Sequence, residues 1–199
     1  MSGRLLKNTK FKSEIKKFFI KHKQSILDII IFGSSVREKD NPEDIDILII
    51  FIDRKDYDIS YELRKILEKQ GFSIEITDKT YQEIFKQDFK AREALLSEGY
   101  SIINETFLSS GLGYNTFVLF KYDLGDMNKS QRMRFYYSLY GRTKEDEGIL
   151  EKYNAKKFSE SIILCPINNS ESLKNFFEEW KMKYVSFPII IPERIKNVM

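Results

Sequence analysis

The sequence predicts an α/β (α+β) protein with a small α/β domain appended. Three observations predict it. An amphipathic helical stripe opens the chain, two apolar runs rich in β-branched residues follow it, and the last eighty or so residues read strand, helix, strand, helix, strand.

Phe11, Ile15, Phe18 and Phe19 recur at helical spacing, so the first segment docks one apolar stripe on the core while its lysines face water. Leu27-Asp28-Ile29-Ile30-Ile31-Phe32 reads as a buried strand that ends in the tight turn Gly33-Ser34-Ser35. Asp44 to Phe51 is a second strand with acids at its start. Ile59, Leu63, Ile66 and Leu67 predict a helix over 58–70, with Gly71 suited to its C-terminal cap. Phe72 to Thr77 alternates as a third strand, and helical patterns follow at about 80–88 and 90–98. Ser109-Ser110-Gly111-Leu112-Gly113 has linker composition, which divides the chain into domains 1–108 and 114–199. Beyond it the pattern predicts strands at Phe117–Tyr122, Ser161–Cys165 and Tyr184–Ile191, and helices at Lys129–Tyr140 and Glu171–Lys181. This second half either forms a layer of its own or extends the first sheet.

With 199 residues, 42% of them hydrophobic, the chain can build an ordinary core without staples. No apolar run reaches the length of a membrane span and no signal core opens the sequence, so the expectation is a cytoplasmic protein with no membrane partner. Cys165 and His22 are each the single residue of their kind, which excludes a disulfide framework and a Cys/His zinc site within one chain. Metal chemistry here must use mainly oxygen ligands. Residues 1–23 hold eight Lys and Arg against Glu14 alone, a charge of +7, while the remainder sums to −4. Such a basic end suits either a polyanion such as RNA or DNA, or simply a solvated helix face.

The chemistry-bearing segment is Phe32-Gly33-Ser34, a nine-residue spacer, then Asp44-Ile45-Asp46. Residues two apart on a strand share a face, so Asp44 and Asp46 present paired carboxylates. Adjacent anions repel unless a cation neutralises them, and hard oxygen ligands favour Mg²⁺ or Mn²⁺. Glycine lets backbone N–H groups approach a phosphate closely, and serine adds a hydroxyl. Together these residues suit a metal-bound triphosphate.

In these residues the chain resembles the nucleotidyltransferase superfamily typified by DNA polymerase β, in particular its small members with hydrophobic-Gly-Ser, a variable loop and Asp-x-Asp. The resemblance spans roughly residues 10 to 105. It implies a polymerase β-like palm, a mixed sheet flanked by helices, in the first domain and transfer of a nucleoside monophosphate from a nucleoside triphosphate such as ATP to a hydroxyl. By the same resemblance Gly33, Ser34 and Ser35 bind the nucleotide, while Asp44, Asp46 and a third carboxylate are catalytic and hold the metal. Glu75, within Ile74-Glu75-Ile76, is the expected third carboxylate; Asp78 is its competitor. Where many relatives have another glycine, this chain has Glu38, flanked by Arg37 and Lys39, which either touch phosphate or decorate a loop.

In the second half, Arg132, Arg134 and Arg142 lie on or just after a helix that also bears Met133, Tyr137 and Tyr140. Arginine beside tyrosine can grip phosphate and stack a base, and the alternative is an ordinary amphipathic helix with its aromatics in the core. The expected acceptor is a nucleic acid end. A protein hydroxyl, or a non-catalytic nucleic-acid-binding role for the same fold, are the alternatives, and oligomeric state is not encoded in any motif.

Overall fold

Asn8 starts the first helix, α1 (Thr9–His22), because its side-chain oxygen accepts the otherwise orphaned Phe11 N–H at 3.0 Å. The computed structural model describes residues 5–37, 44–143 and 145–194, and the chain divides into two compact units, Met1–Leu112 and Gly113–Met199. In the first unit α1 is followed by β1 (Ile26–Phe32), a one-turn 3-10 helix (Gly33–Ser35), β2 (Ile45–Phe51), α2 (Tyr57–Glu68) and β3 (Ile74–Thr80). Then come a second 3-10 turn (Glu83–Phe85), α3 (Arg92–Glu98), β4 (Tyr100–Ser101), β5 (Thr106–Phe107) and α4 (Leu108–Gly111). The sheet order is β3-β2-β1-β4-β5; β2 and β3 run parallel and the other pairs antiparallel. This is the mixed, helix-flanked sheet that the resemblance implies.

Both faces of β1 and β2 are covered, which explains why these strands are almost uninterrupted isoleucine and leucine. On one face Ile29, Ile31, Ile45, Ile47 and Ile49 pack with Phe11, Ile15 and Phe18 of α1 and Leu63 and Leu67 of α2. On the other, Ile30, Leu48 and Ile50 meet Phe89 and Leu95. The α1 lysines do turn outward, but several are engaged: Lys12 and Lys16 reach Glu105 at 3.3 and 2.9 Å, Lys17 reaches Glu14 at 2.8 Å and Lys21 reaches Glu62 at 2.5 Å.

The second unit contains β6 (Tyr114–Asp123), α5 (Lys129–Tyr140), α6 (Ile149–Lys152), β7 (Lys156–Ser159), β8 (Ile162–Pro166), α7 (Ser170–Glu179) and β9 (Lys183–Pro192). Its strands form a separate antiparallel sheet in the order β7-β8-β6-β9. Phe120, Tyr122, Phe135, Phe176, Phe177, Trp180 and Tyr184 form a continuous set of ring contacts, with Phe135 stacked on Phe176 at 5.8 Å and on Phe177 at 6.3 Å. Cys165 is fully buried on β8, and burial pushes its thiol up to about 12. Among the described residues no helix is long and apolar enough to cross a membrane.

Three local expectations fail for identifiable reasons. The pattern at 80–88 does not become an α-helix: the Glu83 carboxylate takes the Thr80 N–H at 2.8 Å and the Lys55 ammonium at 3.0 Å, and Lys86 is already extended. The small residues at 109–111, expected to be flexible, form one helical turn, α4, with Ser109 buried, while the boundary between the two units, Leu112/Gly113, does fall within the expected 109–113 segment. On α5 the buried positions are Phe135 and Leu139, whereas Met133, Tyr137 and Tyr140 are roughly 40–50% exposed. Strands β5 and β7 and helix α6 are too short to leave a periodic signature.

The Thr80 N–H and Lys55 lower the Glu83 carboxyl from 4.5 to about 2. A depressed carboxylate stabilises the fold above its ordinary value, and that contribution is lost as pH falls from 4.5 towards 2. Glu83→Gln is therefore expected to unfold at lower denaturant than the parent at pH 7, with the difference shrinking across that acid window in denaturation curves.

Candidate functional site

β1 and β2 pair with Phe32 opposite Asp46, so the turn leaving β1 passes directly over the start of β2. Gly33 begins that turn with φ +75°, a region costly for residues with a side chain. It is also crowded: a Cβ there would stand 2.6 Å from Asp46 Oδ2. Glycine is thus required twice, by conformation and by the nearness of a carboxylate. Val36 N–H closes the turn on Gly33 O at 3.2 Å, and the buried Ser35 donates its hydroxyl to the Asp44 carbonyl at 3.3 Å. Ser35 ties turn to strand with the hydroxyl that sequence reading assigns to nucleotide. Ser34 is half-buried beside it.

The parallel pairing of β2 and β3 sets Asp46 beside Glu75. Asp44, two residues before Asp46, lies just ahead of β2, where its carboxylate accepts a hydrogen bond from the Ser73 hydroxyl. Asp44, Asp46 and Glu75 are therefore brought to one edge of the sheet, next to Gly33. Asp46 shows the electrostatic result: burial first, then the charges of Glu75 and Asp44, raise its carboxyl above 3.8, partly offset by Arg37. Asp78, at odd spacing from Glu75, belongs to the opposite face. There the Ser60 hydroxyl of α2 donates to Asp78 Oδ1 at 2.6 Å, and burial raises the carboxyl.

Sequence reading missed Glu98. This carboxylate, 6% exposed at the end of α3, takes Arg37 Nη1 on both oxygens at 2.6 and 2.7 Å, and its charge acts on Asp46. An acid next to Gly99 at a helix end carries no distinguishing signal; only the fold brings it to the Gly-Ser turn. Arg37 thus has a buried partner and does not merely decorate a loop, while Glu38 and Lys39 lie outside the described residues.

For a divalent metal the donor chemistry fits. Asp46 on β2 and Asp44 just ahead of it supply hard oxygens, and the repulsion around Asp46 is of the kind a cation relieves. Among the described residues no three acidic, His or Cys side chains converge closely enough to form a complete protein cage. Two carboxylates completed by water and phosphate oxygens is the usual arrangement for Mg²⁺.

The arginines of the second unit are not gathered into one patch. Arg132 and Arg134, two apart on α5, project to different sides of the helix. Arg132 Nε donates to the Met127 carbonyl at 2.9 Å, and Arg142, beyond the helix end, lies 5.1 Å from the Tyr137 ring centre.

The profile of the nucleotidyltransferase domain family matches residues 12–134. A chain in the crystal structure of the toxin-antitoxin MntA-HpeT mutant is similar, at 16% identity and a TM-score of 0.37, over 46% of this chain and 71% of that one. No curated protein matches the chain.

A raised Asp46 means the folded state resists its ionisation, so stability is lost as pH rises from 3.8 through the raised value. Glu75→Gln removes one repelling charge; it is expected to lower the Asp46 titration midpoint by NMR and to raise the melting temperature by roughly 1–3 °C at neutral pH, with no gain below that window. Gly33→Ala should cost at least about 1 kcal/mol in chemical denaturation.

Proposed function

Because this chain belongs to the nucleotidyltransferase domain family, we propose that it moves a nucleoside monophosphate from a nucleoside triphosphate to a hydroxyl acceptor, using Gly33, Ser34, Asp44, Asp46 and Glu75. The observation that carries this reading is the convergence of Asp46, Glu75 and the side-chain-free Gly33 at one end of one sheet face.

The Gly33–Ser35 turn offers the terminal phosphates backbone N–H groups and the Ser34 hydroxyl. Asp44 and Asp46 would hold Mg²⁺ or Mn²⁺, which when bound neutralises phosphate charge and acidifies the attacking hydroxyl. Ser73 orients the Asp44 carboxylate for this role. Ser35 and the Arg37–Glu98 pair hold the turn against β2 and α3, so the phosphate-binding backbone is in place before the nucleotide arrives. The acceptor oxygen bonds to the α-phosphorus as the bond to the bridging oxygen breaks, and pyrophosphate leaves with that electron pair. The hydroxyl proton passes to Glu75, which stands beside Asp46 and is exposed.

The acceptor we favour is a nucleic acid end. Arg142 against Tyr137, with Tyr140 and Met133 also exposed on α5, offers cationic and aromatic groups for phosphate and base. A protein hydroxyl is the second reading, and it draws on the engagement of the α1 lysines by Glu105, Glu14 and Glu62, which leaves the basic end less available to a polyanion.

The test is incubation with labelled nucleoside triphosphates, Mg²⁺ or Mn²⁺, and short RNA, DNA or cell protein as acceptor. Label on nucleic acid supports the first reading, and label on protein supports the second. Asp44→Asn with Asp46→Asn is expected to reduce transfer by at least 100-fold, and Glu75→Gln by at least 10-fold, whereas Asp78→Asn should stay within about threefold. Full activity in the double variant would end the proposal. If Asp78→Asn abolished transfer while Glu75→Gln did not, the third carboxylate would be reassigned.

A further inference from the structure

On the sheet face away from α1 and α2, at the end opposite the acidic cluster, lies a cavity of about 930 Å³. Its walls include Ile30, Ile50, Leu95 and Phe107, and it falls within the size range of small-molecule sites. The rim is unusually apolar for a surface: Phe85 is 69% exposed and Leu112 65%, with Tyr81 and Leu96 beside them.

The polar residues Asp28, Ser101 and Asn104 meet within this lining. Asp28, 9% exposed, accepts the Ile29 N–H at 2.7 Å and the Ser101 hydroxyl at 2.9 Å on Oδ1. Its Oδ2 has a weaker share, the Asn104 amide at 3.3 Å. Ser101 Oγ in turn accepts the Asn104 backbone N–H and side-chain amide, both at 3.0 Å. The donors of the cluster are therefore spent among themselves, while Asp28 Oδ2 retains capacity for a second donor. Burial also holds the Asp28 carboxyl above its ordinary value. A second donor to this buried carboxylate oxygen, beyond the Asn104 amide, would offset part of the cost of its desolvation. An anionic ligand would be repelled by Asp28 and by Glu93 of the lining, whose charge opposes that of Arg92 beside it.

We propose that this cavity binds an apolar small molecule bearing one N–H or O–H donor, which meets Asp28 Oδ2 while the body packs among Ile30, Ile50, Leu95 and Phe107. The site is separate from the acidic cluster. Asp28 pairs with Ile50 and Phe32 with Asp46, four residues along β2 and roughly 13 Å apart. Binding there needs no triphosphate, so its test is independent of nucleotidyl transfer.

Two fluorescent probes test it on the full chain: N-phenyl-1-naphthylamine, an aromatic body with a single N–H, and Nile red, apolar with no donor. Both should show saturable, one-site enhancement. Gly111 lines the cavity, and a Cβ there meets only Thr106 Cγ2, at an ordinary 3.8 Å, so Gly111→Trp can fill the space. That variant should bind both probes at least tenfold more weakly with unchanged circular dichroism. In Asp28→Asn the amide oxygen must remain where the Ile29 N–H and Ser101 point, which puts an NH₂ at the Oδ2 position. The naphthylamine should then lose about tenfold while Nile red is unchanged. Absence of saturable enhancement in the parent, or normal binding in Gly111→Trp, overturns the site. Equal effects of Asp28→Asn on both probes overturn the donor assignment.

Discussion

Asp46 is placed where three like charges and a chain reversal meet, and the local architecture is organised around tolerating it. Its carboxylate stands so close to Gly33 that no side chain fits at that position. Burial, then Glu75 and Asp44, raise its proton affinity, and Glu98 adds a smaller push in the same direction. The counterweight inside the protein is Arg37, already committed to both oxygens of Glu98. Such a cluster costs stability in the free protein and becomes favourable when positive charge arrives. That is the behaviour of a cluster whose repulsion positive charge would relieve, rather than of one that adds to the rigidity of the fold.

The two faces of the first sheet divide the work. Isoleucines at alternate positions of β1 and β2 anchor α1 and α2, which fixes the strands that carry the acids. The other face has an acidic end beside the Gly-Ser turn and an apolar end containing Asp28, separated by Ile30, Leu48, Phe89 and Leu95. One carboxylate at each end is pushed up by burial, yet the surroundings differ: Asp46 is crowded by anions, while Asp28 is surrounded by donors. The first arrangement suits a cation and the second a neutral or cationic donor.

The second unit is held by aromatic rings rather than by branched aliphatics. Phe120, Phe135, Phe176 and Phe177 link its sheet to α5 and α7, and Tyr122 joins them while its hydroxyl donates to the Glu160 carbonyl at 3.0 Å. Phe135 and Leu139 are the buried positions of α5, Tyr136 is half-buried against Phe135, and Tyr137 and Tyr140 are exposed. This gives the helix its exposed mixture of tyrosine, methionine and arginine.

Strand and helix positions were legible wherever a long periodic pattern met a clear boundary: α1, β1, β2, α2 and α5 follow directly from isoleucine-rich runs, helical stripes and caps such as Asn128 with its reciprocal Gln131 bonds. The nearness of Asp44 to Asp46 was expected from the period of a strand, although Asp44 lies just ahead of β2; the alternation of β3 puts Glu75 and Asp78 on opposite faces, a separation that the competition between them in the sequence had left open. Register was not legible. That Asp46 lies beside Glu75 depends on how two parallel strands align, a long-range choice driven by packing on both faces. Glu98 at the Gly-Ser turn, Asp28 over an apolar cavity and the burial of Phe135 instead of Tyr137 likewise arise from contacts between distant segments. Local residue order specifies which groups are available and which side of an element they occupy; only the folded chain decides which of them become neighbours.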